Sequence, residues 1–338
     1  MKFNLINLIY KICTRLYNSD YITFACNFDT DKYLNLSVLH EELVSRHVKI
    51  KSKFIYDHKN IVDRLRQIIV IASSRIIIVD CSHWIISNID VNKYTKVVYI
   101  GHGGGAYKKM GFERKILTAN STRKYGQFSY ALSTSNFCDK CIKKNFNIDE
   151  ASLIKCGLPR TDLIKSFNIE EESRKTILLT PSYYEKSNKR LIAWDLNDLV
   201  EKLSKLGFEL IISLHPDIHD ENICTNERLK MMSMKENYIE NISKADILIT
   251  DVSSLMFDFS VTKKPIIIFD TVSYVSTWIK PNDLPGVNIV NSMGELISKL
   301  QNMNKLKGSK DLFEFQMNRC NGKSCKVVID KVLEIYYE

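Results

Sequence analysis

The chain has 338 residues, 45% of them hydrophobic, with 48 basic side chains against 39 acidic ones and a formal net charge of +9. This composition excludes a disordered or fibrous chain, the length favours two domains over one, and the charge points to an anionic partner: nucleic acid, a phosphate-rich polymer or a membrane surface. Nine cysteines without regular pairing read as reduced thiols and not as a disulfide framework, and no apolar run reaches the ~20 residues a membrane-spanning helix needs.

The N-terminal segment MKFNLINLIYKICTRLY carries Lys2, Lys11 and Arg15 among apolar positions and lacks a small-residue cleavage site. It reads as an amphipathic helix, either docked as the first helix of the fold or lying on a membrane. Residues 20–60 give no clear pattern. Asp29 and Asp31 form a lone DxD, a spacing that can hold a divalent metal on a diphosphate, but nothing around them supports that role and they read as solvated loop carboxylates. Two buried strands follow, RIIIVD from Arg75 and KVVYI from Lys96.

The second of these strands runs into Gly101-His102-Gly103-Gly104-Gly105. Glycines after a strand permit positive φ and close ligand approach, and they clear space around His102, the side chain here able to act as a base near neutral pH. A structural turn with an incidental histidine is the alternative. The loop fits neither a phosphate-binding Walker loop nor the GxGxxG fingerprint. Lys108, Lys109, Arg114, Lys115, Arg123 and Lys124 come next, with Glu113 the one acid among them, a run that suits a solvated basic face or a guide for a polyanionic acceptor.

From Phe128 the pattern is strand, then a helix holding Cys138 and Cys141 as a CxxC with no second pair at zinc spacing, then Gly157-Leu158-Pro159-Arg160-Thr161-Asp162. Gly and Pro fix a turn there, which would thrust Arg160 out as a fork-shaped donor suited to phosphate. The charged stretch Glu170–Lys175 is the candidate linker, dividing the chain into domains 1–169 and 170–338, with the last helix free to pack back on the first.

The second half repeats the same grammar. Strands are expected at Thr176–Thr180, Glu209–Leu214 (running into His215-Pro216), Asp246–Thr250, Pro265–Phe269 and Val287–Val290. Helices are expected at Leu191–Leu206, Met293–Met303, Asp311–Arg319 and Lys323–Tyr337. Asp251, Ser253 and Ser254 stand where a further helix begins, with Leu255, Met256, Phe257 and Phe259 as its apolar body. Free N–H groups and the positive dipole end favour a phosphate at such a place, though ordinary capping residues look the same. Strands alternating with helices in two successive sets predict an α/β protein, two doubly wound Rossmann-like domains facing a cleft, with His102, His215 and Ser253 at the carboxyl ends of strands.

In this order HGGGAYKKMG, GLPRTD, the loop Pro181–Tyr184, LHP, TDVSSLMFDFSVTKKPIIIFD and NGKSCKVVIDKVLE resemble the motifs of the CDP-glycerol glycerophosphotransferase family, enzymes of teichoic acid and related polymers with a GT-B fold. The likeness runs from about residue 70 to the C-terminus and is strongest over Thr250–Phe259. It departs at Gly104-Gly105-Ala106, where the family's loop has Thr-Pro-Leu, at Val252, where it has Tyr, and at Tyr183-Tyr184, where it has Trp-Arg. The resemblance implies transfer of a polyol phosphate from CDP-glycerol or CDP-ribitol to a hydroxyl of a cell-surface glycan or lipid-linked acceptor, with release of CMP. It implies His102 as general base; His215, Ser253, Ser254 and Arg160 as stabilisers of the phosphoryl group and leaving CMP; and Gly103, Gly104, Thr250, Asp251 and Asp258 around the substrate. It requires no cofactor or metal and involves no nucleic acid; the basic loop region and the amphipathic N-terminal segment suggest work at the cytoplasmic face of the membrane, as a peripheral protein. Two readings of other classes stay open, a GT-B glycosyltransferase using a nucleotide sugar and a non-catalytic nucleotide-binding member of a polymer-assembly complex.

Overall fold

The computed structural model describes residues 2–26, 34–56, 60–81, 83–114, 125–164, 175–181, 196–214, 229–233, 238–251, 253–269 and 276–338. The chain divides into two compact units, Met1–Asp162 together with Asn318–Glu338, and Leu163–Met317.

In the first unit the described strands are β1 (Tyr21–Cys26), β2 (Lys51–Tyr56), β3 (Ser74–Val79), β4 (Lys96–Tyr99), β5 (Tyr130–Ser133) and β6 (Leu153–Lys155). They form one parallel sheet in the order β2-β1-β3-β4-β5-β6. The described α-helices are α1 (Lys2–Leu16), α2 (Asn35–Ser45), α3 (Ile61–Ala72) and α4 (Asn136–Phe146), joined by the C-terminal helix Ser324–Tyr337. Side chains alternate across a strand, so the sheet divides its apolar residues between two cores. Ile22, Phe24, Ile76 and Ile78 pack with Leu36, Leu39 and Leu43 of α2 and with Val328, Val332 and Ile335 of the C-terminal helix. Ala25, Ile77 and Val79 point the other way, among Tyr10 of α1 and Ile68 and Ile71 of α3.

The starts of α3 and α4 follow ordinary capping. Asn60 accepts the N–H of Val62 and Ser135 that of Cys138, while α4 ends on left-handed Asn147. Cys138 and Cys141 are buried on α4, and burial pushes the Cys141 thiol up to about 12, the behaviour of core thiols. The C-terminal segment is held by Arg319, whose guanidinium forks onto both Asp139 oxygens at 2.6 and 2.9 Å.

The second unit contains α5 (Leu196–Lys205), α6 (Tyr238–Lys244), α7 (Leu255–Ser260), α8 (Met293–Gln301) and α9 (Lys310–Gln316). Its described strands are β7 (Thr176–Thr180), β8 (Glu209–Leu214), β9 (Leu229–Ser233), β10 (Ile247–Thr250), β11 (Ile266–Phe269) and β12 (Asn288–Val290). They are parallel, in the order β12-β11-β10-β7-β8-β9. The runs ILLT, ILIT and IIIF are apolar almost throughout, as strands covered on both faces must be. This is the Rossmann strand order, whose direction of progression reverses between β7 and β10, so the carboxyl ends of those two strands are the switch point where such sheets bind ligands. The α/β class with two doubly wound units, expected from the alternation of strands and helices, is the class the chain adopts.

Candidate active site

The histidine loop grows out of β4. The Ile100 N–H donates to the Val79 carbonyl at 2.8 Å, one residue beyond the strand, and the chain then leaves the sheet. It turns at Gly101 (φ +79°) and again at Gly105 (φ +65°), both in the left-handed region that L residues seldom take. Gly105 stands at the position where the loop motif that this chain resembles carries proline. A proline ring fixes φ near −65° and could not take the turn that Gly105 makes here.

His102, between these two turns, is half-buried, with Nδ1 shielded from solvent. Burial, and then the positive charges of Arg160 and Lys108, lower its pKa to about 4. The ring is therefore neutral at pH 7 and able to accept a proton. Gly103 is half-buried and Gly104 buried. Of the basic run that follows, Lys109 faces Glu113 at 4.0 Å and Arg114 is exposed.

Arg160 lies in a tight 3-10 turn, Pro159–Leu163. Contrary to the expectation from sequence, its side chain is not thrust outward: the residue is 3% exposed. The turn folds inward because its backbone is held from two sides. The Thr161 hydroxyl donates to the Leu158 carbonyl at 2.6 Å, and the Arg160 N–H donates to Asn35 Oδ1 at 3.1 Å. Asn35 Nδ2 in turn donates to the Gly101 carbonyl at 3.1 Å. The histidine loop and the GLPRTD turn thus share one buried amide, which nothing in the unpatterned stretch 20–60 announced.

In the second unit the switch point carries a pair of threonines. Thr250 donates its hydroxyl to the Thr180 carbonyl at 2.7 Å, and Thr180 donates its own to Thr250 Oγ1 at 3.1 Å. Asp251 is buried; Ser253 and Ser254 are half-buried. Ser253 Oγ accepts the Leu255 N–H at 3.3 Å, whereas Ser254, the residue before α7, makes no side-chain cap. Asp258 faces inward, fully buried, and accepts a hydrogen bond of 2.5 Å from the Tyr238 hydroxyl, which braces α7 against α6. His215, Val252, Tyr183, Tyr184, Asp29, Asp31, Lys115, Arg123 and Lys124 lie outside the described residues. Among the described residues no cluster of three or more His, Cys, Asp or Glu side chains is placed to hold a metal ion.

Two doubly wound parallel sheets, one in the Rossmann strand order, place this chain in the class of α/β proteins with two Rossmann-like units. A model of the family CDP-Glycerol:Poly(glycerophosphate) glycerophosphotransferase matches residues 8–333, and the chain belongs to that family. The teichoic acid glycerol-phosphate primase of Bacillus subtilis (strain 168) is 27% identical over 64% of this chain and 61% of its own length. The teichoic acid poly(ribitol-phosphate) polymerase of Bacillus spizizenii (strain ATCC 23059 / NRRL B-14472 / W23) is 26% identical over 78% of this chain and 47% of its own length. The chain therefore spans about half to three-fifths of the length of these curated relatives. Among solved structures, that of the wall teichoic acid polymerase TagF matches with a TM-score of 0.78 at 13% identity, over 98% of this chain and 94% of that one. The shared fold is of the GT-B kind.

Proposed function

We propose that this protein transfers a polyol phosphate, glycerol phosphate foremost, from a CDP-polyol to a hydroxyl of a cell-surface glycan or lipid-linked acceptor, releasing CMP. The observation that carries this reading is His102: a histidine neutral at pH 7, set between two left-handed glycines at the carboxyl end of β4, in a chain of this family. The acceptor oxygen bonds to the distal phosphorus of the diphosphate while the bond from that phosphorus to the CMP oxygen breaks. The acceptor proton passes to His102 Nε2, and CMP leaves with the bonding electron pair. Gly103 and Gly104 allow the acceptor close to the backbone. Arg160 supplies positive charge beside the histidine, and His215, with the hydroxyls and N–H groups of Ser253 and Ser254, steadies the diphosphate.

In this reading residues 1–169 serve the acceptor and 170–338 hold the CDP donor. Asp251 lines the donor side. Thr250 and Asp258, whose side chains bond to β7 and to Tyr238, support that side from behind. The reaction needs no cofactor beyond the donor substrate. The relatives include a glycerol-phosphate primase and a ribitol-phosphate polymerase, so both CDP-glycerol and CDP-ribitol are donors to test.

The same reading places the protein on a membrane surface. Among the described residues no helix is long and apolar enough to cross a membrane, but α1 turns Leu5, Leu8, Ile12 and Leu16 to solvent. These residues repeat at helical spacing with Lys11 and Arg15 beside them, a pattern suited to the interface of an anionic bilayer.

The test is CMP release from CDP-glycerol or CDP-ribitol in the presence of a membrane or glycan acceptor fraction, with phosphorus NMR of the product and His102→Ala alongside. Acceptor-dependent CMP release, a new phosphodiester signal and the loss of both in the variant support the proposal. A glycosidic product from a nucleotide sugar would favour a glycosyltransferase. CDP-ligand binding without turnover in either protein would favour a non-catalytic role.

A further inference from the structure

Asn35 joins the two loops of the first unit on which the proposed chemistry depends. It is the first residue of α2 and is 0% exposed. One end of its amide donates to the carbonyl of Gly101, the residue before His102, and the other accepts the N–H of Arg160, each at 3.1 Å. Arg160 is in turn the first of the two cations whose charge is felt at the His102 ring. The three residues come from the connections that follow β1, β4 and β6, separated by 66 and 125 positions in sequence.

The local geometry favours this use of the side chain over a capping role. An asparagine at a helix start is commonly spent on the helix's own free N–H groups. Here the preceding residue, Leu34, takes a left-handed conformation (φ 59°) and α2 has no side-chain cap. That is a strained state for leucine, and it accompanies an asparagine amide directed at the two loops. An amide is the neutral group of this size that presents a donor and an acceptor together. Aspartate would set a second acceptor against the Gly101 carbonyl, and leucine would satisfy neither loop.

We propose that Asn35 is a positioning residue for the transfer reaction. It does not touch substrate; it fixes His102 relative to Arg160 by clamping the backbone on both sides, so that the base and its neighbouring cation hold one arrangement. This inference rests on the reading of His102 as the base. Misplacement of a base by about an ångström is enough to cost on the order of 100-fold in rate, so a clamp of this kind belongs to the chemical step more than to donor binding.

The experiment uses the full chain with Asn35→Ser, which is too short to reach both loops and buries no new charge, and Asn35→Asp, which keeps the acceptor for Arg160 and loses the donor to Gly101. Three quantities are measured: kcat and KM for CMP release from CDP-glycerol or CDP-ribitol, calorimetric affinity for the same donor, and amide hydrogen exchange of peptides covering 98–107 and 156–163 without substrate. Asn35→Ser is expected to lower kcat about 10- to 100-fold while donor affinity stays within about twofold, and to quicken exchange in both peptides. Asn35→Asp should quicken the 98–107 peptide alone and lower kcat likewise. A kcat within about twofold of the parent overturns the proposal, as does a fall in kcat matched by an equal fall in donor affinity, or faster exchange spread through the whole unit. If the parent itself turns over neither CDP-polyol, the reading of the reaction falls, and the exchange measurement still decides whether Asn35 clamps both loops.

Discussion

Gly157 lies so close to Cys320 that a β-carbon added to it would stand 2.7 Å from Cys320 Cα and 2.4 Å from Ser324 Oγ. The GLPRTD turn and the C-terminal segment are therefore packed backbone to backbone, and the Asp162 carboxylate secures the contact by accepting the Cys325 N–H at 2.8 Å. The neighbours at Gly157 include main chain, which cannot swing aside as a side-chain tip can. Gly157→Ala should therefore cost about 1–3 kcal/mol, the usual range for overpacking. Urea unfolding followed by circular dichroism checks this: the midpoint should fall at unchanged slope, and an unmoved midpoint would mean that the C-terminal segment yields freely.

In the proposed reaction, with His102 as the base, the neutrality of this ring would set the acid limit of activity. Burial, then Arg160 and Lys108, bring its pKa to about 4, and a general base works only in its unprotonated form. The acid limb of kcat/KM should therefore lie well below the ordinary histidine value of about 6.5. Lys108→Gln removes one of the opposing charges, so the limb should move to higher pH with little change in the rate at neutral pH. His102→Ala should lower kcat by about 10²- to 10⁴-fold. A pH profile of Lys108→Gln that overlays that of the parent excludes His102 as the group that titrates.

His83, a residue that carries no part of the proposed reaction, makes a separable prediction about stability. It is buried, its Nδ1 accepts the Ile85 N–H at 3.3 Å, and burial lowers its pKa to about 4. The unfolded chain has the ordinary value near 6.5, so between pH 6.5 and 4 the unfolded state binds the proton and the folded state does not. Stability is then fully present above about pH 6.5 and is lost as the pH falls toward 4, at about 1.4 kcal/mol per pH unit for each such histidine. His102 adds to the same slope. Scanning calorimetry of His83→Gln across this window should show a shallower fall than the parent by about that amount per unit; a parallel curve would mean that His83 is protonated in the folded state.

What the sequence disclosed follows the physics of each element. Apolar runs such as ILIT and IIIF have to be buried strands, and the glycines at 101 and 105 signal left-handed turns, so the sheet ends carrying His102 and Ser253 were legible. The stretch 20–60 was not. β2 lies at the sheet edge with alternately exposed residues, Lys51 and Lys53 among them, and α2 is preceded by a leucine that makes no side-chain cap, so neither shows its usual signature. β9, LKMMS, is likewise at a sheet edge, and α6 has only seven residues. Long-range polar pairs leave still less trace. The Asn35 amide, the Thr180 and Thr250 hydroxyls and the Tyr238 contact with Asp258 join residues 20 to 125 positions apart, and no local periodicity records them. For the same reason Arg160 read as an outward cation when the 3-10 turn in fact folds it in.

The last prediction concerns the outer face of α1. This helix is apolar on two sides: Tyr10 and Cys13 enter the core, while Leu5, Leu8, Ile12 and Leu16 face solvent. Its neighbour α3 adds exposed Ile61, Val62 and Leu65. A helix apolar on opposite faces is ordinarily covered on both. α1 carries cations and no acid, so the anionic bilayer proposed above would satisfy the outer face by burial and charge together. Burying one leucine is worth about 1.5–3 kcal/mol; Leu8→Asp with Ile12→Asp should therefore weaken partition onto phosphatidylglycerol vesicles by at least about 100-fold. The parent should bind these vesicles more tightly than zwitterionic ones and release them as salt rises. Sedimentation with vesicles measures the partition, and sedimentation velocity without them follows self-association. Variant binding equal to that of the parent would remove α1 from the membrane contact. Loss of a dimer with vesicle binding intact would assign the face to a second copy of the chain.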